Sequence, residues 1–592
     1  MQTKTLSIAA ALLAVTAAPL TTVISAHATT LVVPVNCAGL DAELGNPQQP
    51  GETILLHDSA LCTGAHTIKQ GAEITLKGQA ATDGFDGGGI NQILTGSDNG
   101  ATTISNLIFK NGKSTGNGGA IYLTQSTGTG SPTITMDSFF NNQAKFSGGA
   151  VEISLQTTGS TVTVTHDTFG GPGAGNTSTQ GVGGGIEIVA LGNEVVTDNV
   201  IANNSAGFSG GGAFLDAGAA TGSIDFERNV VSDNQVRPGN GGGVQMLTSG
   251  AVTINGNVFR NNLIQGGSGG QNRGGGLAVQ QATGKVVNQA HNLFANNIVR
   301  TVNAGGATQP RQVGNQFDFG GAGEFAFATT INSLDDTYQN NAVGDAGFQT
   351  GAVGGGLAVT GLNGNKATLH ATNLVATNNT VGAKGEGGGI YAGFSEGCNT
   401  PPCPAEIDLS DSTVSGNNVG ATGSGAGLSG DVTTDIANVV NSIVYGNTGT
   451  TAQIESFKTI TVNHSDSCQS AGTPYPGTGN ICVDPKLVNV AGNDVHETAT
   501  SPTVNAGDSA QVPSGVTSDY EGDGRVQGAS VDIGADEFTP AVIVAPTPSP
   551  TPALPKAGTA GGRTSTPSTV PAVVLLVLCA GAGVALSRRR AL

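Results

Sequence analysis

Between about residue 100 and residue 450 one arrangement of apolar and polar positions recurs. A short run alternates apolar with polar residues, as in Val162-Thr163-Val164, which sends one set of side chains inward and the other out. Asn or Asp follows, then apolar residues, a second Asn, a glycine cluster and a new strand. Asp198-Asn199-Val200-Ile201-Ala202-Asn203-Asn204 leads to Gly210-Gly211-Gly212-Ala213-Phe214-Leu215. Arg228–Asn234 leads likewise to Gly241–Met246, and Asn373–Asn379 to Gly387–Tyr391. The first strand residue after the glycines is expected at Ile121, Val151, Ile186, Phe214, Val244, Leu277, Glu324, Leu357, Ile390 and Leu428. Most steps are close to thirty residues, and the longer one from Leu277 to Glu324 leaves room for an excursion around Thr301–Gln316.

A unit of that length with short strands and tight bends cannot bury an apolar face alone; stacked in register, such units share one narrow core and hydrogen-bond rung to rung. Glycine suits bends that need positive φ, and asparagine tolerates the left-handed region while its amide can bond along the stack. A β-propeller would want four strands per unit and aromatic signatures, and immunoglobulin-like domains would not space glycine triplets so evenly. The pattern therefore predicts an all-β fold, a right-handed parallel β-helix solenoid with three short strands per coil. Open ends of a solenoid need covering. Asn36–Leu44 reads as a helical plug for the first coil, and residues 484–538, with a different pattern, as a cover for the last.

The termini add a location. Lys4, an apolar run from Leu6 to Leu20 and Ala26-His27-Ala28 have the order of a secretory signal peptide cleaved after Ala28. At the other end a stalk (Pro546–Pro552) precedes an apolar run, Val570–Leu586, and Arg588-Arg589-Arg590. Leu554-Pro555-Lys556-Ala557-Gly558 between them resembles the sortase pentapeptide LPxTG with Ala in place of Thr, so both sortase cleavage and a retained membrane anchor remain open. The expected layout is 1–28 signal peptide, 29–100 N-terminal cap and first coils, 101–483 β-helix, 484–540 C-terminal cap, 541–569 linker and 570–592 span with basic tail.

Composition narrows the partners. With 94 Gly and no three-residue period, collagen is excluded, and a net charge of −19 disfavours nucleic acid. Cys37, Cys62, Cys398, Cys403, Cys468 and Cys482 lie outside the C-terminal span, an even number that reads as disulfides in an exported chain. Pairing of sequence neighbours would clamp the first coil, one loop and the last region, although sequence leaves every connectivity open. No histidine accompanies these cysteines at zinc-like spacing.

Several stretches resemble bacterial surface proteins with a choice-of-anchor Q region on a pectate-lyase-like β-helix. They are Gly51–Leu56, Ile74–Gly78, Asp86–Gly89 and Ile104–Gly112 near the start, and Asp484-Pro485, Ser501–Asp508, Arg525 and Val531–Glu537 near the end. The resemblance implies surface display and a varied anchor, and no particular reaction.

The fold is shared by enzymes and passive proteins, so chemistry has to come from residues. Of the motifs that polygalacturonases share only Asp335-Asp336 is present, and it reads better as a turn position. His166, His291 and His370 precede rung turns and would form a stripe only if they aligned on successive coils; solvent-facing strand ends are the simpler reading. No tryptophan and six tyrosines speak against an aromatic sugar-stacking groove. Asp519, Asp523, Asp532 and Asp536, with Glu521 and Glu537, could gather around one Ca²⁺ or stand as solvated acids on a cap. The expectation is thus a display, adhesion or binding rod with an unknown surface ligand, glycan or protein, and no catalytic residues or cofactor. A polysaccharide lyase or hydrolase is the alternative. At least two carboxylates converging on a lateral face near a long loop, 301–320 or 393–406, would support it. If the export reading holds, N-terminal sequencing of the exported protein will begin at Thr29; an intact Lys4 segment on the mature chain would refute it.

Overall fold

The computed structural model describes residues 31–539, apart from 220, 267–271, 282–283, 302–318, 328–329, 345–351, 362–365, 383, 394–403 and 451. The chain is a parallel β-helix. In one coil, Thr161–Thr165 belongs to sheet 1, Thr168–Gly170 to sheet 2, Thr177–Ser178 to sheet 3 and Ile186–Ala190 to sheet 4. Sheets 1 and 2 have 15 strands each, sheet 3 has 10 and sheet 4 has 13. The three strands expected per coil are sheets 1, 2 and 4, and the two-residue ladder of sheet 3 is an addition. The predicted strand starts hold, with one shift: Ala213, not Phe214, opens its strand. Register aligns Ile186, Ala213 and Val244, so Ala213 faces the core and Phe214 faces out.

The turns explain the composition. Sheets 1 and 2 are joined by two residues in coil after coil, such as Asp198-Asn199 and Arg228-Asn229. The first of each pair is left-handed (Asp198 φ 59°, Arg228 φ 53°), while the second turns inward and is buried. The Asn-Asn dipeptides after sheet 2 divide the same two roles. Asn203 takes φ 60°, and Asn204 accepts the backbone N–H of Asn176 at 2.9 Å while its own Nδ2 donates to Phe169 O at 2.9 Å and Asn234 Oδ1 at 3.1 Å. That ladder runs Asn142, 176, 204, 234, 262, 297, 341, 379, 417, 447 and ends on Gln453.

The glycine clusters are forced by space as well as by φ. Gly210 sits at φ 61°, and a Cβ on Gly211 would lie 2.1 Å from Gly242 O of the next coil. Inside, phenylalanines stack at rung spacing, with 5.1 Å between the rings of Phe109 and Phe139 and 4.8 Å between Phe139 and Phe169. Midway along the core an acid interrupts the apolar columns. Glu324 aligns with Leu277 and Leu357 and accepts from Tyr338 Oη at 2.6 Å and Gln289 Nε2 at 3.2 Å.

Both ends are covered. Helix α1 (Cys37–Gly45), N-capped by Asn36, buries Leu40 and Leu44 against the first coil, and the Cys37–Cys62 disulfide ties it down. At the far end the hairpin of Asp466–Ser470 and Thr473–Pro474, closed by Cys468–Cys482, brings Tyr475 Oη to within 3.1 Å of the N–H of Ile454 in the last rung of sheet 4. The expected cover formed by 484–538 is therefore corrected. That segment lies along the flank of sheet 2 as a strap, because its donors and acceptors meet left-handed turn residues of several coils. Asn378 donates to Val490 O at 2.6 Å, Asn373 to Ser518 O at 2.9 Å and Asn441 to Asp508 O at 3.1 Å. Arg525 and Glu537, both buried, pair at 2.6 Å in its interior, and Arg525 Nη1 also donates to Asn373 Oδ1. Residues that carry the family resemblance, Arg525 and Val531–Glu537, build this strap.

Cys398, Cys403, the Thr301–Gln316 stretch beyond Thr301, residues 1–28 expected as a signal peptide, Leu554–Gly558 and residues 570–592 expected as a span lie outside the described residues. Among the described residues no helix is long and apolar enough to cross a membrane.

Replacing Asn234 by Ala removes four ladder hydrogen bonds and strands the buried N–H of Asn204. We expect a loss of about 3 kcal/mol or more in chemical denaturation. Asp233→Asn, at the exposed left-handed position beside it, should cost less than about 0.5 kcal/mol.

Candidate functional site: the long-loop face of the solenoid

The turns flanking sheet 2 are two residues long in most coils, with 171–176 the longer exception, whereas those entering and leaving sheet 4 vary more widely, so sheet 4 is the face where side chains from loops and strand can meet. Its outward column runs Tyr122, Glu152, Glu187, Phe214 and Gln245 on successive rungs. These side chains are not open to solvent as outward strand positions usually are. The left-handed glycine before each strand folds the incoming turn back over it, and a Cβ on Gly148 would come 2.8 Å from the Cβ of Glu152.

Under this roof Glu152 and Glu187 lie side by side, 5% and 7% exposed. Glu152 Oε1 accepts from Asn117 Nδ2 at 2.9 Å. Burial, reinforced by the neighbouring Glu187 charge, pushes the Glu152 carboxyl up to about 9. Burial also raises Glu187, to about 7, against a lowering hydrogen bond from Ser147. The pair holds protons near neutrality, as two carboxyls sharing a dry site must.

Above them runs a rim. The N–H of Phe146 bonds Gly116 O at 3.0 Å, that of Phe208 bonds Gly181 O at 2.9 Å, and Gly181 abuts Phe146 O. The two phenylalanines are thus two rungs apart, about 9.5 Å, with a glycine rung between them. They are 45% and 60% exposed. Lys145 Nζ stands 4.8 Å from the Phe146 ring centroid.

Further along, the face changes character. Phe325, Phe327, Val353, Ala358 and Tyr391 form an apolar cluster of their own outside the main core, and Arg273 lies 4.6 Å over the Phe327 ring. Glu386, Asp431 and Asp435 surround Tyr391. Burial first, then Asp431, raises Glu386 to about 7. Asp435 accepts from the N–H of Ala405 at 2.7 Å and of Asp431 at 2.6 Å, which ties it to the turn.

The residues singled out from sequence separate here. His166 and His291 occupy the same left-handed column (φ 61° and 55°), with Asp198, Arg228 and Gly256 on the coils between them. His370 stands on sheet 1, 2.9 Å from Asp408. The three do not form a stripe. Asp335 is a left-handed turn residue and Asp336 a buried ladder member that accepts from Asn292 N at 2.8 Å. Asp519 Oδ1 accepts the N–H groups of Glu521, Gly522 and Asp523, Asp532 Oδ2 that of Phe538, and Asp536 Oδ2 that of Glu497. Asp523 Oδ2 accepts from Thr539 Oγ1 at 3.2 Å. These acids mostly serve the strap's own backbone.

Sequence reasoning missed Glu152 and Glu187. The signal was present, since Gly148-Gly149-Ala150-Val151-Glu152 and Gly183-Gly184-Gly185-Ile186-Glu187 place an acid at one position of successive repeats. No protein-family model matches the chain, and no curated protein shows significant similarity to it.

A pH dependence follows. Glu187, Glu324 and Glu152 titrate from 4.5 up to about 7, 7 and 9 on folding, burial being the main cause in each. Above pH 4.5 the folded chain then binds more protons than the unfolded one, so their contribution is complete below that pH and is lost as pH rises through 7 toward 9. Melting temperature should be highest at mildly acidic pH and fall steadily into the alkaline range. Glu324→Gln should remove on the order of 3 kcal/mol of that dependence. A melting temperature flat from pH 5 to about 9 would contradict the buried, protonated assignment.

Proposed function

We propose that this protein is an exported, envelope-anchored rod that displays a binding surface on its long-loop face and does not turn its ligand over. One observation carries the binding half of this reading. Glu152 and Glu187 are sealed under the glycine turns, and of the second acidic group, around Tyr391, Asp435 is buried and tied to its turn while Glu386 and Asp431 are half-buried; the groups open at the rim are Phe146 and Phe208. A general acid or base has to reach the reacting atom within about 3 Å, and a roofed carboxyl pair does not offer that. Exposed aromatic rings at fixed spacing on a stiff scaffold offer contact area at low entropic cost. The anchoring half rests on the sequence of residues 1–28 and 541–592 and on the resemblance to choice-of-anchor surface proteins. The disulfides Cys37–Cys62 and Cys468–Cys482 fit an oxidising compartment.

The adjacent rungs of Glu152 and Glu187 also support a second reading, glycoside cleavage by a proton-sharing acid pair. One experiment separates the two. The purified protein is offered to panels of acidic and neutral glycans and envelope preparations, with binding and reducing-end release followed together. The display reading expects retained binding, weakened about tenfold by Phe208→Ser, and no released product. Product release abolished by Glu187→Gln would make the protein an enzyme.

A further inference from the structure

The strap brings together a second set of groups that the display surface does not use. Its strand Asp494–Glu497 pairs antiparallel with Leu487–Asn489 and presents His496. Nδ1 of His496 lies 2.7 Å from Asp494 Oδ1, and Nε2 lies 2.8 Å from Glu521 Oε2. Asp536 completes the group, and one ligand atom from each of His496, Glu521 and Asp536 lies within 4.8 Å of the others.

Two further observations concern charge. Asp536 is 5% exposed, and its Oδ2 accepts the Glu497 N–H. Glu497 is 4% exposed, and neither of its carboxyl oxygens meets a donor in good geometry. The one guanidinium inside the strap, Arg525, is already committed to Glu537 and backbone carbonyls. Buried carboxyls without partners are costly, and a cation at their edge offsets that cost.

We propose that the strap binds one transition-metal dication of the zinc class through His496 Nε2 and the carboxylates of Glu521 and Asp536. The imidazole selects the ion, because calcium and magnesium take oxygen donors whereas zinc accepts mixed nitrogen and oxygen sets. Asp494 on Nδ1 orients the ring, as an outer carboxylate does in histidine–metal sites. Ligand bonds of about 2.0–2.2 Å require only that the three atoms draw together, and the exposed flank of His496 and Glu521 leaves room for water as a fourth ligand. The ion would cross-link the Asp494–Glu497 strand to the 519–537 segment and so fasten the strap across the coils of Asn373, Thr413 and Asn441. The inference is independent of the display reading.

The test uses the purified full-length chain. Zinc titration by calorimetry is expected to show one equivalent bound and a raised melting temperature, and cobalt(II) should give visible d–d absorption. Glu521→Gln, at a side chain open enough that the fold does not depend on it, should weaken binding about 10- to 100-fold, as should His496→Asn. Asp523→Asn, an acid of the same strap outside the triad, should leave binding unchanged. Absence of binding at millimolar zinc would overturn the assignment. So would binding insensitive to Glu521→Gln, equal loss in Asp523→Asn, or calcium displacing zinc at equal concentration.

Discussion

Each coil closes through a two-residue turn whose inward amide bonds the backbone of the coil below, and the rest of the architecture depends on that bond. Strands of three to five residues carry too few hydrogen bonds to hold a register by themselves, and a slip of one residue would turn every inward side chain out. The amide removes that freedom: its oxygen takes the N–H that the turn leaves unpaired, and its nitrogen satisfies a carbonyl and the next amide. Asn176 and Asn204 illustrate the unit, and Gln453 closes the column where the coils end. With register fixed, the phenylalanine stack follows, because identical positions are forced to identical heights.

The same constraint divides the surface. Where the ladder runs, turns are two residues long in nearly every coil, the 171–176 turn being longer while still supplying Asn176 to the ladder. Length varies more before and after sheet 4, and the roofed acids and the exposed phenylalanines gather on that face. The strap uses the ladder side: it grips left-handed residues such as Asn373, Asn378 and Asn441, whose side chains point away from the core and are free to bond laterally.

Burying acids in such a narrow body has a cost that is met locally. Glu324 is held by Tyr338 and Gln289, Asp336 by Asn292 and Ser333, and Glu152, the more strongly protonated member of its pair, by Asn117 and the Glu187 carboxyl. Desolvation favours the neutral carboxyl in each case, which makes mild acidity the condition in which these sites cost least.

The sequence by itself determined the solenoid, its period, the strand starts after the glycines and the α1 plug, whereas the pairing of Cys37 with Cys62 and of Cys468 with Cys482, left open by the sequence, was decided by the structure. The former are local or strictly periodic, and steric demands on glycine and asparagine write them into each repeat. The sequence also placed Asp335-Asp336 in a turn. Only the tertiary structure decided which outward residues are covered. Glu152 and Phe214 occupy equivalent outward strand positions, and the alternation along the strand does not show that the preceding glycine turn folds back over both. Only the tertiary structure laid residues 484–538 along the flank, since their partners are more than a hundred residues away for Asn373 and Asn378. The same distance in sequence separates Thr413 from Ala535, which meet by a hydrogen bond. Within the strap, His496, Glu521 and Asp536 converge across 25 and 15 residues of irregular chain. Periodicity carries no information about such contacts, because they arise from where a non-repeating segment comes to rest on a repeating one.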